Sequence, residues 1–220
     1  LLLKHLADLY FKIKDFHSSL LYSQKLLNLF PEDVDALFSL VCCNFEIQED
    51  LTAKKLMNEL IEKVKDDHQK EKFYERACEV IINVNSWDTD KDYSLLMEYT
   101  EEAVKVNPNN YATLSYRAIA KYFSNDHQGA IIDAEKAKEL NPKAVITLGN
   151  LSNFYRYLDD YEKAETTLHE FFQTFPNDRT HDFLYATVCF ALKKFHTSWE
   201  YYESRWSRDS GTNRYKKKPK

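Results

Sequence analysis

The histidines, the cysteines and a set of alternating aspartates are the side chains of this sequence that could bind a metal ion. Among its 220 residues are seven histidines and four cysteines. No two cysteines have the two-residue spacing typical of a zinc site, and no His-Glu-x-x-His pair occurs. Asp88, Asp90 and Asp92 alternate like the start of a calcium loop, but the glycine and the later glutamate of that motif are missing. The sequence therefore predicts no metal site and no cofactor.

Residues that could act as catalytic nucleophiles also lack a suitable setting. No serine or cysteine lies in a Gly-x-Ser-x-Gly turn, and no glycine-rich loop is present to hold a phosphate. The histidines are scattered along the chain without a partner at a recognisable spacing. We therefore expect no catalytic residues and a protein that is not an enzyme.

The cysteines, at positions 42, 43, 78 and 189, all fall within patterns typical of helices. We interpret them as small buried thiols rather than metal ligands or disulfide partners. Four free thiols are expected in a reducing compartment, which predicts a cytoplasmic location.

Composition and charge exclude several classes of protein. Apolar residues make up 44% of the chain, which argues against disorder, and no apolar run is long enough to span a membrane. The formal net charge is -5, and residues 207–220 contribute +5 (six basic side chains and one acidic), so residues 1–206 carry -10. An acidic body lacks the clustered cations that bind phosphates, so we expect no nucleic-acid partner. The opening Leu-Leu-Leu leads directly into charged residues, which predicts a segment starting inside a helix rather than a secretory signal.

The elements that must position any functional residue are predicted to be helices. Three glycines and five prolines are too few for the many tight turns of a β-sandwich. Apolar residues recur at steps of three and four, with short polar turns such as Ser-Asn-Asp and Leu-Asp-Asp between the runs. The predicted fold class is all-α.

An internal repeat of 34 residues organises these helices. Pro108, Pro142 and Pro176 are each 34 residues apart, and so are Ala130 and Ala164. Each period contains two amphipathic stretches, the second of which ends near its proline because proline disfavours helix in its predecessor. The sequence thus predicts helical hairpins in series.

This period and its small-residue pattern resemble the tetratricopeptide repeat. The resemblance implies a right-handed superhelical α-solenoid of about six hairpins over residues 1–206. Residues 207–220 would follow as a basic tail or linker. The implied units are 1–33, 34–67, 68–110, 111–144, 145–178 and 179–206.

Alanines at the repeated positions explain how the helices approach each other. The distance between two helix axes is set by the side chains at their contact. Ala130 and Ala164 are expected to let the two helices of a hairpin cross closely, and Ala137 is expected to let the next hairpin approach. A tryptophan at either of the first two positions should force the helices apart.

The resemblance also implies where a partner would bind. In the tetratricopeptide family, the first helix of each unit lines a concave wall that holds a peptide or protein segment. We predict a non-catalytic scaffold that binds an extended peptide or protein through such a wall. The matching residues of this sequence are Phe38, Phe45, Ser115, Tyr122, Phe123, Asn150, Asn153, Arg156, Tyr157, Phe183 and Thr187.

Tetratricopeptide proteins hold peptides in more than one way, and this sequence matches one of two such modes. Asn150 and Asn153 match the asparagines that hold peptide backbone amides in O-linked N-acetylglucosamine transferases, although Asn150 could instead tie neighbouring helices together. Clamps for a C-terminal carboxylate do not match, because Asp8 and Ser39 stand where asparagines are expected. We therefore expect main-chain recognition and no carboxylate clamp.

Two other hypotheses stay open from the sequence. The stretch from Trp199 to Trp206 resembles the last repeat of bacterial tetratricopeptide arrays that precede a glycosyltransferase-like or sulfotransferase-like domain. The chain would then be the substrate-recruiting or dimerising arm of a larger enzyme. A structural array that forms a homo-oligomer, with Trp87 as an anchor, is the third hypothesis.

Overall fold

The computed structural model describes residues 2–85 and 93–203 of the chain. These ranges contain twelve α-helices and no strand. The chain divides into two compact units, Leu1–Ser124 and Asn125–Lys220. In the first unit the helices are α1 (Leu2–Lys12), α2 (Phe16–Leu29), α3 (Val34–Glu46), α4 (Asp50–Lys63), α5 (Asp67–Asn85), α6 (Ser94–Val106) and α7 (Tyr111–Phe123). In the second they are α8 (His127–Leu140), α9 (Val145–Tyr157), α10 (Tyr161–Thr174), α11 (Asp182–Ala191) and α12 (Phe195–Tyr202).

In each unit, most helices that are consecutive in sequence pack against one another. In the first, α1 packs on α2 and α3 on α4, and α5 contacts α3, α6 and α7. In the second, α9 packs on α8 and α10, and α11 on α10 and α12. The predicted all-α class is therefore confirmed. The right-handed superhelical path of the whole chain stays a prediction.

Short turns join the two helices of most hairpins, and each contains one residue with a left-handed backbone. The residues are Lys14, Gln48, Asn125, Asp159 and Lys193, with φ between 58° and 63°. None is glycine, although glycine takes this conformation at the lowest cost. An aspartate cap follows in several turns, as where the Asp160 side chain accepts a hydrogen bond from the Lys163 amide.

Small side chains lie where the repeat predicts close helix contacts. Ala53, Ala130 and Ala164 are fully buried. At the corresponding positions of the first and last hairpins, serine replaces alanine, and its hydroxyl bonds to a carbonyl of the preceding helix. Ser19 Oγ donates to Ala7 O at 2.9 Å, and Ser198 Oγ donates to Ala186 O at 2.8 Å. At these two positions the helix contact therefore accommodates a serine, whose buried hydroxyl is hydrogen-bonded.

The helices end before their prolines, as predicted. Helix α6 ends at Val106 and α8 at Leu140, each one residue before an asparagine that precedes proline. The side chain of Asn107 then accepts a hydrogen bond from Asn109 N, and that of Asn141 from Lys143 N. The Asn-Pro pairs therefore end the helix and shape the following turn.

The third hairpin departs most from the pattern. Its first helix, α5, begins at Asp67 and is 19 residues long. The loop prediction for residues 85–92, including Trp87 and the alternating aspartates, falls almost wholly outside the described residues.

A buried carboxylate of helix α5 accepts hydrogen bonds from the loop between α6 and α7. Glu71 is 6% exposed, and its Oε1 accepts hydrogen bonds from Asn107 Nδ2 at 2.7 Å and Asn110 Nδ2 at 2.8 Å. Asn110 also donates to Glu75 Oε2 at 2.7 Å, and its Oδ1 caps α7. The long first helix of this hairpin therefore holds the start of α7 through polar contacts.

Candidate peptide-binding surface

The predicted site residues belong to both compact units, so each group is described within its own unit. In the first, Phe38 is half-buried, and its ring centroid lies 4.7 Å from that of Phe73. Phe45 is only 1% exposed and packs edge-on against Tyr99. Ser115 is buried, and its hydroxyl donates to Tyr111 O of the same helix at 2.8 Å. Because Phe45 and Ser115 lie in the interior, we leave them out of the proposed binding surface.

Tyr122 and Phe123 form an aromatic cluster at the end of α7. The rings of Phe123 and Tyr93 stack with centroids 4.1 Å apart, and Tyr122 meets Phe123 edge-on at 5.3 Å. Both predicted residues are half-buried. These ring contacts show that both residues help to pack the first unit. Neither residue is completely buried, so each remains partly accessible at the surface.

In the second unit, the two predicted asparagines differ in accessibility. Asn150 is 5% exposed, and its buried Nδ2 has no hydrogen-bond partner in the part of the chain that the structure describes. Asn153 is half-buried, and its Nδ2 donates to Gly149 O one turn earlier at 3.2 Å. The Nδ2 of Asn150 thus makes no tie to a neighbouring helix. Asn153 is the asparagine that a partner can reach directly.

Arg156 and Tyr157 complete the exposed side of α9. Tyr157 is 53% exposed, and the guanidinium carbon of Arg156 lies 4.2 Å from the centroid of its ring. This stacking orients the guanidinium through a cation–π interaction. We refer to Asn153, Arg156 and Tyr157 together as the α9 face.

Helix α11 supplies the last two predicted residues. Phe183 is 42% exposed, and its ring lies 5.8 Å from that of Tyr202. Thr187 is half-buried, and its hydroxyl donates to Leu184 O at 2.7 Å. Phe190 of the same helix is also exposed and packs against Phe195.

A contact between Gly149 and His181 joins the second turn of α9 to the residue that precedes α11. A β-carbon added to Gly149 would lie 2.5 Å from His181 Nε2, which is too close for a real contact. The imidazole is held by Thr180 Oγ1, 2.9 Å from Nδ1, and its ring lies 4.3 Å from that of Phe171. Sequence reasoning missed His181. The only available signal was a rare glycine inside a helical pattern, which indicates close packing.

This contact makes a test by paired substitutions possible. Gly149→Ala is expected to lower the free energy of unfolding by about 1 kcal/mol, because the new methyl group displaces the imidazole. In a His181→Ala background, Gly149→Ala should raise the free energy of unfolding by about 1 kcal/mol, because alanine is a better helix former than glycine. Urea unfolding of the four proteins measures both values. An effect of the same sign in both backgrounds would contradict the proposed contact.

The cysteines are buried, as predicted, and form no disulfide with one another. Burial raises the pKa of the Cys42 thiol to about 12 and that of Cys43 to about 11. These thiols stay protonated near neutral pH and are poor nucleophiles. Among the described residues, no group of three or more His, Cys, Asp or Glu side chains is placed to hold a metal ion. None of the described helices is long and apolar enough to cross a membrane.

No family model and no curated protein matches this chain in sequence. Its structure, however, is similar to solved structures. PilF of Pseudomonas aeruginosa has a TM-score of 0.70 and 13% identity, covering 95% of this chain and 90% of that one. A tetratricopeptide repeat protein of Parabacteroides merdae has a TM-score of 0.69 and 13% identity, covering 93% and 78%. YrrB, described as a tetratricopeptide protein with an unusual peptide-binding site, has a TM-score of 0.56 and 15% identity, covering 86% and 88%.

At these identities the similarity shows the fold alone. The helix pairs, the 34-residue period and the structural neighbours agree. The chain therefore has an all-α helical-repeat fold of the tetratricopeptide type.

Proposed function

We propose that this protein is a non-catalytic scaffold that binds an extended peptide or protein segment through the second unit. The contacts are made by the α9 face together with Phe183 and Thr187 of α11. The observation that carries this proposal is the exposed Tyr157, stacked under Arg156 and one turn from an asparagine. Tyrosine and arginine are the residue types that most often anchor partners.

The asparagine supplies recognition that does not depend on the partner's side chains. With its Nδ2 bonded to Gly149 O, Asn153 keeps its Oδ1 to accept a hydrogen bond from a main-chain amide. An extended segment presents such amides regularly. Tyr157 and Phe183 then provide apolar area for its side chains.

Phe38, Tyr122 and Phe123 remain predicted contacts in the first unit. Each keeps part of its ring at the surface. The fold type supports the proposal, because one structural neighbour is described as having a peptide-binding site.

A triple variant of the α9 face tests this function. A phage-displayed library of short random peptides would be selected on the wild-type chain, and the enriched peptides measured by fluorescence polarisation. Asn153→Ala/Arg156→Ala/Tyr157→Ala is expected to weaken binding by about 100-fold, because it removes two anchors and a main-chain acceptor together. Its folding would be checked by circular dichroism.

The matched control changes three exposed residues of α10, as Glu162→Ala/Thr166→Ala/Gln173→Ala. This variant should bind like wild type. Equal binding by the folded triple variant of α9 would remove the proposed surface.

The other hypotheses have less support. The hypothesis of an arm of a larger enzyme rests partly on Arg205 and Trp206, which lie outside the described residues. The homo-oligomer hypothesis rests on Trp87, which also lies outside them. Both hypotheses, and the cytoplasmic location, stay predictions.

A further inference from the structure

Arg156 has no acidic partner among residues 2–85 and 93–203, whereas several other cations of its unit have one. In the second unit, Lys163 pairs with Asp160 at 2.8 Å and Lys194 with Glu165 at 2.5 Å. Arg156 forms no ion pair with any residue of the described ranges, and its Nε is buried without a hydrogen-bond partner. Its guanidinium carbon lies 4.2 Å from the centroid of the Tyr157 ring, and its side-chain N–H groups make no hydrogen bond with any described residue.

The carboxylates that follow Arg156 in sequence are engaged elsewhere. Asp159 accepts a hydrogen bond from the Tyr161 hydroxyl. Asp160 caps α10 and pairs with Lys163. A cation in the last turn of a helix also interacts favourably with the helix dipole, but that interaction occupies none of its donors. Neither of these two carboxylates forms an ion pair with Arg156.

We propose that the segment bound by the α9 face carries an acidic side chain that pairs with Arg156. This inference rests on the proposed function and names the chemistry of the partner. A carboxylate accepts two parallel hydrogen bonds from a guanidinium.

The spacing along the helix fixes where the acidic residue must lie. Asn153 and Arg156 are three residues apart, which corresponds to a rise of about 4.5 Å. An extended peptide advances by about 3.3 Å per residue. The acidic residue should therefore lie one or two positions from the residue whose amide binds Asn153.

A single carboxylate fits this face better than a phosphate group. Residues 125–203 contain more acidic than basic side chains, and Asp159 and Asp160 follow Arg156 closely. Phosphate carries nearly two negative charges and is usually bound by several cations. One arginine matches a group with one negative charge.

The test uses peptides enriched on the wild-type chain from the library described above. Each would be synthesised in its native form and with Asp→Asn or Glu→Gln at its acidic position. We expect Arg156→Gln to weaken binding of the acidic peptide about tenfold and to leave binding of the amide peptide nearly unchanged. Raising the salt concentration should weaken binding of the acidic peptide only.

The control variant is Lys143→Gln, which removes one exposed positive charge of the same unit from the loop before α9. It should affect the two peptides equally. A coupling of Arg156 to the acidic position, absent for Lys143, would distinguish a direct ion pair from a general effect of charge.

Two outcomes would overturn the inference and are distinguishable. Enriched peptides that need the α9 face but lack an acidic residue, or that lose equal affinity in both forms with Arg156→Gln, would overturn the inference alone. A library that yields no peptide dependent on the α9 face would overturn the proposed function and the inference with it.

Discussion

Replacing Ala164 with tryptophan is expected to lower the free energy of unfolding by about 3 kcal/mol or more. Ala164 is 0% exposed and lies on α10, which packs closely against α9. An indole has no space in this contact, so the two helices must separate or the side chain must leave its preferred rotamer. In a chain of this size the melting temperature should fall by roughly 6–12 °C. Urea unfolding followed by circular dichroism measures the change in free energy.

Two variants of the same helix provide controls. Thr166→Trp places the same side chain at an exposed position of α10 and should cost about 0.5 kcal/mol or less. Ala164→Ser copies the arrangement of the first and last hairpins, in which Ser19 and Ser198 bond to a carbonyl twelve residues earlier. It should stay within about 1 kcal/mol of wild type. A stable Ala164→Trp protein would show that the helices do not need a small side chain here.

Replacing Glu71 with alanine is expected to lower the free energy of unfolding by about 2–3 kcal/mol. The change removes the acceptor for the side-chain amides of Asn107 and Asn110, and hydrogen bonds to a charged group are stronger than neutral ones. Because Asn110 also caps α7, the first turn of that helix should loosen. Urea unfolding would report the stability, and hydrogen exchange at the Ala112 and Thr113 amides would report the cap.

Glu79→Ala is the matched control for this prediction. Glu79 lies two turns further along α5 and pairs with Arg76 at 3.6 Å on the surface. Exposed pairs contribute little, so this variant should lose about 0.5 kcal/mol or less. Equal losses for the two variants, or unchanged exchange at the cap of α7, would show that Glu71 does not organise the loop.

Local rules made most of the helices predictable from sequence. The positions of Pro108 and Pro142 anticipated the ends of α6 and α8 to within two residues, because proline restricts the residue before it. The alanines at 130 and 164 are fully buried, as expected where two helices need a small side chain between them. The start of α5 was harder to predict, since Lys65 stands where the repeat expects a proline.

The candidate site was less predictable than the helices. The resemblance to the tetratricopeptide repeat predicted that Phe45 and Tyr157 both lie on the concave wall. In the structure, Phe45 is buried against Tyr99 and Tyr157 is exposed. Both residues are aromatic and occupy a helix that lines the expected wall. Their exposure differs because different side chains of neighbouring helices pack against them. The 34-residue period of the sequence does not contain that information.

For this protein, the amino-acid sequence alone determined the helical class, the hairpin period and the small residues that are buried between helices. These features follow from interactions between residues that are near one another in the chain or repeat at a fixed spacing. Only the tertiary structure revealed that His181 packs on Gly149, that Glu71 holds two asparagines and that Arg156 has no acidic partner among the described residues. Those facts depend on distances between side chains far apart in sequence, which become defined only when the helices pack together.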